Sequence, residues 1–170
     1  MATAAISTTQ YLTFKLDEES FALEVSKVRE VLELTKITRV PDAPEFMRGM
    51  INVRGSVVPV IDMRLKFGMN ATQEQTSTRI IVMEIDRDGK TIVVGSLADS
   101  VKEVIDLSDE QIEPAPDIGT RWNRDLMRGV GKHNDEFIII LDIDKVFSTN
   151  EMMVLTGPEI QHGEATQPPA

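Results

Sequence analysis

The chain has no cysteine, so disulfide bonds, thiol nucleophiles and cysteine-ligated metal sites are excluded. Its only histidines are His133 and His162, too few for a histidine pair at metal-ligand spacing or for a recognisable Ser-His-Asp arrangement. No glycine-rich phosphate loop precedes a predicted helix. These absences predict a protein with no catalytic residues, no metal and no cofactor.

Aromatic residues and positive charge are also scarce. The chain of 170 residues has one Trp, one Tyr and six Phe, and its 28 acidic residues outnumber 18 basic ones to give a net charge of -10. Such a chain repels nucleic acid and offers few rings for base stacking. A nucleic-acid-binding tandem β-barrel is therefore a remote alternative. A small hydrolase with a site between two lobes is another alternative that the residues do not favour.

No apolar run approaches the roughly 20 residues that a membrane-spanning helix needs, and the N-terminus does not read as a secretory signal. Because cysteine is absent as well, we expect a cytoplasmic protein without direct membrane insertion. The 41% of hydrophobic and 27% of charged residues are typical of a globular protein. The length suits one compact domain or two small lobes.

Many short β-rich segments separated by turn residues favour barrels over a parallel α/β sheet. Residues 57–61 are predicted as a buried strand that follows a tight turn. Residues 44–50 and 126–129 are predicted as helical turns, each with a glycine near its end. A C-terminal helix is expected over residues 148–155, with an apolar side made of Met152, Met153 and Leu155.

Parts of the sequence recur at nearly constant spacing, which indicates an internal duplication. Residues 28–34 read VREVLEL, and residues 101–107, which lie 73 positions later, read VKEVIDL. The Met-Arg-Gly step at residues 47–49 returns 80 positions later at residues 127–129. We therefore predict two similar small β-barrels of about five short strands each. Chance matching of β-rich sequence is the alternative.

One motif is present in only one of the two copies. Asn52-x-Arg54-Gly55 precedes a predicted strand in the first copy, whereas residues 132–135 of the second copy read Lys-His-Asn-Asp. A residue that either barrel needed for folding would be expected in both copies. Arg54, whose guanidinium carries five donors on a rigid frame, is therefore predicted to serve recognition.

These residues resemble the CheW family, the coupling proteins of bacterial chemotaxis, over roughly residues 10–155. The Asn-x-Arg-Gly run is specific to that family when it follows the Pro-x-Phe-x-x-Gly run, and it is weak alone. Four runs carry the resemblance: Val28-x-Glu30-Val31, Pro44-x-Phe46-x-x-Gly49, Asn52-x-Arg54-Gly55-x-x-x-Pro59-x-x-Asp62 and Gln111-Ile112-x-Pro114-Ala115-Pro116.

The resemblance implies a mainly β fold in which two SH3-like five-stranded β-barrels pack together, with short helical turns and a C-terminal helix. It places a CheW-like domain at residues 10–156, with lobes of approximately 10–70 and 77–147, and it leaves open whether strands exchange between the lobes. Residues 1–9 and 157–170 are expected to be disordered ends.

The resemblance further implies a non-catalytic adaptor in receptor arrays at the inner membrane. Such an adaptor joins the cytoplasmic hairpin tip of chemoreceptors to the regulatory domain of the histidine kinase CheA, and it forms rings with CheA or with itself. No kinase segment and no receiver domain are expected, unlike in CheA and CheV. A coupler of a non-flagellar chemosensory pathway, such as that of type IV pili, would have the same sequence features.

By resemblance, the receptor-binding residues surround a groove between the barrels. An ordinary surface ion pair is the alternative for the charged residues, and ordinary core packing is the alternative for the valines. Glu30 returns in the second copy as Glu103, which strengthens a structural interpretation of that residue. The receptor-binding set comprises Arg54, Glu30, Val28, Val31, Gly49, Asn52 and Val104.

The kinase-binding residues are expected on another face, because a coupler must hold both partners at once. The last three of them resemble the patch that joins neighbouring units into rings, and many family members carry a basic residue where Glu113 stands here. A solvated loop is the alternative for the whole set. The set comprises Thr38, Arg39, Arg48, Glu113, Asp117 and Ile118.

Overall fold

A computed structural model describes residues 7–114, 126–148 and 150–155. Within these residues the chain forms short strands and very little helix, so the predicted mainly β fold is confirmed. The helices are α1 (Met63–Lys66) and α2 (residues 150–155). The strands are β1 (Thr8–Leu16), β2 (Glu19–Glu24), β3 (Val28–Glu33), β4 (Met47–Val53), β5 (Ser56–Asp62), β6 (Arg79–Arg87), β7 (Lys90–Ala98), β8 (Ser100–Ser108), β9 (Ile112–Glu113), β10 (Met127–His133) and β11 (Glu136–Leu141).

The strands form two sheets, which define two barrels. Barrel 1 is the five-stranded sheet with the order β3-β6-β7-β5-β4, and barrel 2 is the six-stranded sheet with the order β8-β1-β2-β11-β10-β9. The sixth strand of barrel 2 is β9, which has only two residues. Five strands per barrel, as predicted, is therefore right for barrel 1 and one too few for barrel 2.

Barrel 2 is a permuted copy of barrel 1. Residues 28–98 supply all strands of barrel 1 in one continuous stretch, whereas barrel 2 combines residues 100–141 with the N-terminal hairpin of residues 8–24. Sheet membership thus follows neither of the contiguous segments 10–70 and 77–147. The two strand orders coincide when β8 is set on β3, β10–β11 on β4–β5, and β1–β2 on β6–β7.

The pairing registers support this equivalence at the level of single residues. In barrel 1 the parallel strands β5 and β7 pair Val60 with Gly95, and in barrel 2 the parallel strands β11 and β2 pair Ile140 with Ala22. Both β4 and β10 carry an irregularity in register at their Met-Arg-Gly step. The structure therefore shows the internal duplication that the recurring residues predict.

Each barrel has its own small apolar cluster, and a larger central cluster draws side chains from both sheets. The largest residues of the central cluster are almost completely buried, with exposures of 2% or less for Phe14, Phe21, Met83 and Phe147. Burying one such side chain stabilises a fold by about 1.5–3 kcal/mol. The central cluster therefore holds the two barrels together.

The hairpins β1–β2 and β6–β7 are buried on both faces, because successive side chains of a strand point to opposite sides. On β6, Ile80 belongs to the cluster of barrel 1 while Ile81 belongs to the central cluster. On β1, Tyr11 belongs to the cluster of barrel 2 while Leu12 belongs to the central cluster. The barrels are thus joined through the inner faces of their own strands.

An ion-pair network reinforces this junction at one end. Lys27 lies in the 3₁₀ turn Val25–Lys27 that leads from barrel 2 into barrel 1, and its Nζ is 3.0 Å from Asp86 and 2.8 Å from Asp144. Partial burial acts to lower the pKa of Lys27, but the hydrogen bonds to Asp144 and Asp86 outweigh it and raise that pKa above its usual value. Lys27 therefore stays charged as the two carboxylates hold it.

Several local predictions are wrong, and the reason is long-range strand pairing. Residues 44–50 and 126–129 are not helical turns, because strands β4 and β10 begin at Met47 and Met127 and pair with β5 and β11. Glycine near the end of a short segment is a weak signal that such pairing overrides. Val57, predicted to be buried, is 58% exposed.

The C-terminal helix begins as predicted from Ser148. The Ser148 Oγ accepts a 3.1 Å hydrogen bond from the Glu151 amide, and the Glu151 carboxylate accepts one of 2.8 Å from the Ser148 amide. This reciprocal pair is a capping box. Met152 and Leu155 are buried as predicted, but Met153 is 58% exposed and lies off the apolar side.

Candidate docking site

The turn between β4 and β5 has two residues in the left-handed region of the backbone map. Arg54 has a φ of 49° and Gly55 has a φ of 88°. The Asn52 Oδ1 accepts a 2.8 Å hydrogen bond from the Gly55 amide, which closes the turn. Glycine adopts this conformation freely, whereas arginine is disfavoured in it. Backbone strain of this kind is typical of functional sites.

From this turn, Arg54 reaches strand β3 and donates a hydrogen bond to the Glu30 carboxylate. The hydrogen bond holds the pKa of Glu30 below its usual value, and Glu30 in turn raises the pKa of Arg54. The Arg54 side chain is 76% exposed and that of Glu30 only 22%. Glu30 therefore anchors one edge of the guanidinium while the other donors remain accessible to a partner.

Exposed apolar side chains flank this ion pair. Val31 follows Glu30 on β3 and is 38% exposed, and the exposed Val57 lies near the start of β5. A groove of about 510 Å³ is lined by Glu30, Arg54 and Val57 among others. We call Glu30, Val31, Arg54 and Val57 the first dock. It offers a cation, a carboxylate and two apolar contacts to a partner.

The other residues of the predicted receptor-binding set lie in different settings. Val28 is half-buried and packs against the central cluster, in agreement with the core alternative for this valine. Asn52 shapes the turn that carries Arg54. Val104 lies on β8 in barrel 2 and is 50% exposed. Gly49 is buried within β4.

Gly49 is needed for a close approach within the chain itself. Its φ is 148°, and a Cβ at this position would lie 2.1 Å from the Thr38 carbonyl oxygen. Thr38 and Met50 exchange two backbone hydrogen bonds of 2.8 Å, which hold the two segments together. Gly129 has the same role in barrel 2, where a Cβ would lie 2.5 Å from the Glu113 carbonyl oxygen. Packing thus accounts for the recurrence of the Met-Arg-Gly step.

Of the predicted kinase-binding residues in barrel 1, Thr38 and Arg39 are exposed. Arg48 is half-buried, and its guanidinium donates to the Asp62 carboxylate at 2.9 Å and to the Thr72 carbonyl at 3.2 Å. A groove of about 620 Å³ lies here, and both Arg39 and Arg48 line it. Arg39 can meet a partner directly, whereas Arg48 is held by contacts within the chain.

Asp62 organises the base of this groove. Its carboxylate is completely buried and accepts hydrogen bonds from the Thr72 amide and hydroxyl, both at 2.8 Å, and from the Arg64 amide at 3.1 Å. These bonds fasten residues 69–78 to barrel 1, so this segment is not the free linker or mobile loop that its polar composition suggests. A buried carboxylate with these partners and Arg48 is fully satisfied.

The remaining predicted kinase-binding residues belong to barrel 2 and its loop. Glu113 is exposed on β9, where it pairs with Val130 of β10. Asp117 and Ile118 lie outside the described residues. The structure therefore brings Thr38, Arg39 and Arg48 together and places Glu113 on the equivalent edge of the other barrel.

Sequence reasoning missed Val57 as part of the site. It opens the apolar run of residues 57–61, and such a run is typical of a strand buried on both faces. The nearby turn was a usable signal, because the first residues of a strand after a two-residue turn extend beyond the sheet's core. Val57 pairs with Asn52, also exposed, at this outer end of the hairpin.

Comparison with known proteins gives this geometry a family. The sequence model described as the CheW-like domain matches residues 10–151. The chain belongs to the CheW-like family. Within the described residues, no helix has the length and apolar character required to cross a membrane.

Members of the CheW-like family that resemble the chain cover most of its length. It is 31% identical over 153 residues to the chemotaxis protein CheW of Klebsiella aerogenes, which covers 90% of each chain. It is 33% identical over 142 residues to the chemotaxis protein CheW of Rhizobium meliloti, covering 84% of this chain and 89% of the relative. The scaffolding protein TtCheW of Thermoanaerobacter tengcongensis has a similar crystal structure, with a TM-score of 0.75, 33% identity, and coverage of 89% of this chain and 95% of that one.

Proposed function

We propose that this chain is a non-catalytic adaptor that couples chemoreceptors to the histidine kinase CheA in cytoplasmic signalling arrays. Its similarity to chemotaxis proteins CheW and to a scaffolding protein supports this role. The observation that carries the proposal is the Arg54–Glu30 pair, which is exposed between apolar side chains on a strained turn. The role requires binding at two surfaces and no chemical step.

The first dock is the proposed receptor-binding surface. The cytoplasmic tip of a chemoreceptor is an antiparallel helical hairpin, and a helix with an apolar stripe can cover Val31 and Val57. Arg54 then donates to a carboxylate or carbonyl at the edge of that stripe. Val104 extends the same surface onto barrel 2. Recruitment to arrays at the inner membrane follows from receptor binding in this proposal.

The groove beside Arg39 is the proposed surface for the kinase regulatory domain. Thr38 and Arg39 supply exposed contacts, and Arg48 holds the groove in shape through Asp62. Glu113, with Asp117 and Ile118, is proposed to join neighbouring units into rings. Since the groove and the first dock use different residues of barrel 1, both partners can bind at once.

Two charge reversals test the proposal on the full-length chain. We expect Arg54→Glu to weaken binding to a soluble receptor hairpin fragment by about tenfold, the loss typical of an interface hot spot, and to leave kinase binding unchanged. We expect Arg39→Glu to do the opposite. Lys90→Glu, at an exposed turn position of β7, is the matched control and changes neither affinity.

Titration calorimetry with each partner, together with a thermal melt of each variant, gives the readout. Unchanged affinity of a folded Arg54→Glu variant for the receptor fragment contradicts the proposed receptor surface. A variant that loses both partners and melts at a lower temperature assigns Arg54 to the fold.

A further inference from the structure

Exposed apolar side chains recur at equivalent positions of the two barrels. In the described part of the chain, six large apolar side chains are exposed, and four of them form two equivalent pairs. Val31 of barrel 1 corresponds to Val104 of barrel 2, and Val57 corresponds to Phe137, which is 71% exposed. Folding requires neither pair on the surface, so their recurrence points to a shared use.

The charged pair of the first dock also has a counterpart. Glu30 corresponds to Glu103 on β8, and the His133 Nε2 lies 3.7 Å from the Glu103 carboxylate. His133 comes from the hairpin β10–β11, as Arg54 comes from the hairpin β4–β5. The second barrel therefore has a carboxylate on an edge strand faced by a nitrogen base from a hairpin. We call Glu103, Val104, His133 and Phe137 the second dock.

The surroundings of the second dock favour a partner that carries carboxylates. Lys15, Lys102 and His133 line a groove of about 250 Å³ there, in a chain whose net charge is -10. The two acidic residues of the same groove have partners within it, because Glu103 faces His133 and Glu136 accepts a hydrogen bond from Ser20. Lys132 lies directly across the strand pair from Phe137. An apolar anchor ringed by cations complements a helix with acidic residues beside an apolar stripe.

Both docks begin at the junction of the barrels. Val28 on β3 and Val101 on β8 pack against the same central cluster, and each lies three residues before the exposed valine of its dock. Three residues of strand span roughly 10 Å, and two packed helices lie about 8–10 Å apart. A pair of docks related by internal duplication thus matches a pair of antiparallel helices in both symmetry and scale.

We propose that the second dock binds the other helix of the receptor hairpin whose first helix occupies the first dock. This inference rests on the proposed function and extends it, because it assigns Phe137 and His133 to receptor binding. The unequal chemistry of the docks, guanidinium in one and imidazole in the other, fixes which helix lies on which barrel.

The absence of cysteine permits a direct test, since one introduced thiol is unique in the chain. Full-length variants Val57→Cys, Phe137→Cys and Met153→Cys are alkylated with iodoacetamide, with and without a soluble receptor hairpin fragment. We expect the hairpin to slow alkylation of the first two variants by about tenfold and to leave Met153→Cys, exposed on α2, unaffected.

Affinity measurements on Phe137→Ser and His133→Ala complete the test. We expect Phe137→Ser to weaken hairpin binding by about tenfold at a stoichiometry of one hairpin per chain, with Met153→Ser unchanged. Both changed side chains lie outside the barrel clusters, so the thermal melts should match that of the parent chain.

The outcomes separate this inference from the proposed function. If Arg54→Glu loses the hairpin while Phe137→Ser binds it fully and the Phe137→Cys thiol stays reactive, the second dock is wrong and the receptor surface stands. A stoichiometry of two hairpins per chain also overturns the second dock. If neither Arg54→Glu nor Phe137→Ser alters binding, the proposed receptor surface is wrong as well.

Discussion

Arg54 and Asn134 occupy the same position of two equivalent hairpin turns, with φ values of 49° and 52°. Asparagine is common in this left-handed conformation, and arginine is not. Barrel 2 therefore has the residue that the backbone favours, and barrel 1 has the residue that a partner can use. The comparison within one chain shows what the turn needs for folding alone.

The substitution Arg54→Asn should separate stability from binding. Because asparagine relieves the strain at φ 49°, we expect the Tm to rise by about 2 °C. We expect affinity for a receptor hairpin fragment to fall about tenfold, because the guanidinium is lost. Calorimetry and a binding titration on the same sample measure both. Asp88→Asn, at φ 52° in the β6–β7 turn, is the matched control and should change neither. A lower Tm with intact binding would show that Arg54 serves the fold.

The recurring glycines should differ in how much a methyl group destabilises the fold. We expect Gly49→Ala to lower the free energy of unfolding by about 3 kcal/mol, because its Cβ would overlap the Thr38 carbonyl and its φ is 148°. Gly129→Ala should lower it by about 2 kcal/mol through the Glu113 carbonyl alone. Gly89→Ala, with open space around its Cβ, should lower it by only about 1 kcal/mol. Urea denaturation ranks the three variants, and equal losses at all three would refute the packing account of the Met-Arg-Gly step.

Asp62 and Asp142 stand at equivalent positions but should contribute very differently to stability. Asp62→Ala leaves the half-buried Arg48 without its carboxylate partner, and we expect a loss of about 3–5 kcal/mol. Asp142 is partly exposed and lies 3.9 Å from Lys145, so Asp142→Ala should lose less than about 1 kcal/mol. Chemical denaturation measures both. Proteolysis within residues 69–78 should accelerate in Asp62→Ala only, and comparable losses in both variants would contradict the network described here.

The C-terminal helix should be stabilised in a pH-dependent way by Glu151. Partial burial acts to raise the pKa of Glu151, but hydrogen bonds from Lys66 and Ser148 outweigh it and hold that pKa below its usual value. A carboxyl whose pKa is lowered by folding stabilises the fold above its unfolded pKa, and this stabilisation is lost as the pH falls through the folded pKa. Tm measured from neutral to acidic pH should therefore decline less steeply in Glu151→Gln than in the parent chain. Identical pH profiles would show that the ion pair with Lys66 adds nothing to stability.

The duplication could be predicted because its framework residues keep their identity, as Val28 and Val101 do. The permutation could not, because the hairpins β1–β2 and β6–β7 share only apolar character: Phe14 and Phe21 stand where Met83 and Val94 pair in the other barrel. Burial on both faces selects size and hydrophobicity and leaves no motif. The local patterns around Gly49 failed for a related reason, since only pairing with β5 makes that segment a strand.

The candidate site was predicted in part. Arg54 stood out because no arginine aligns with it in the second copy, and Glu30 followed from the resemblance. The counterpart in barrel 2 was hidden because the group facing Glu103 comes from His133, one residue before the position that aligns with Arg54. A comparison of aligned positions cannot find a function that has moved to a neighbouring residue. The outward position of Phe137 required the structure, since an aromatic residue at the start of an isoleucine-rich strand is typical of a core.

The permuted order of the barrels has a consequence for how the protein is made. A ribosome releases the first hairpin, β1–β2, before any other strand, yet its ladder partners β8 and β11 begin at Ser100 and Glu136. Barrel 1 can close in the meantime, because its strands are continuous in the chain. The nascent hairpin, with Phe14 and Phe21 on one face, must then wait as an unpaired apolar surface or rest on barrel 1. Translation speed and chaperone supply are thus expected to govern the yield of this protein more than its final stability does.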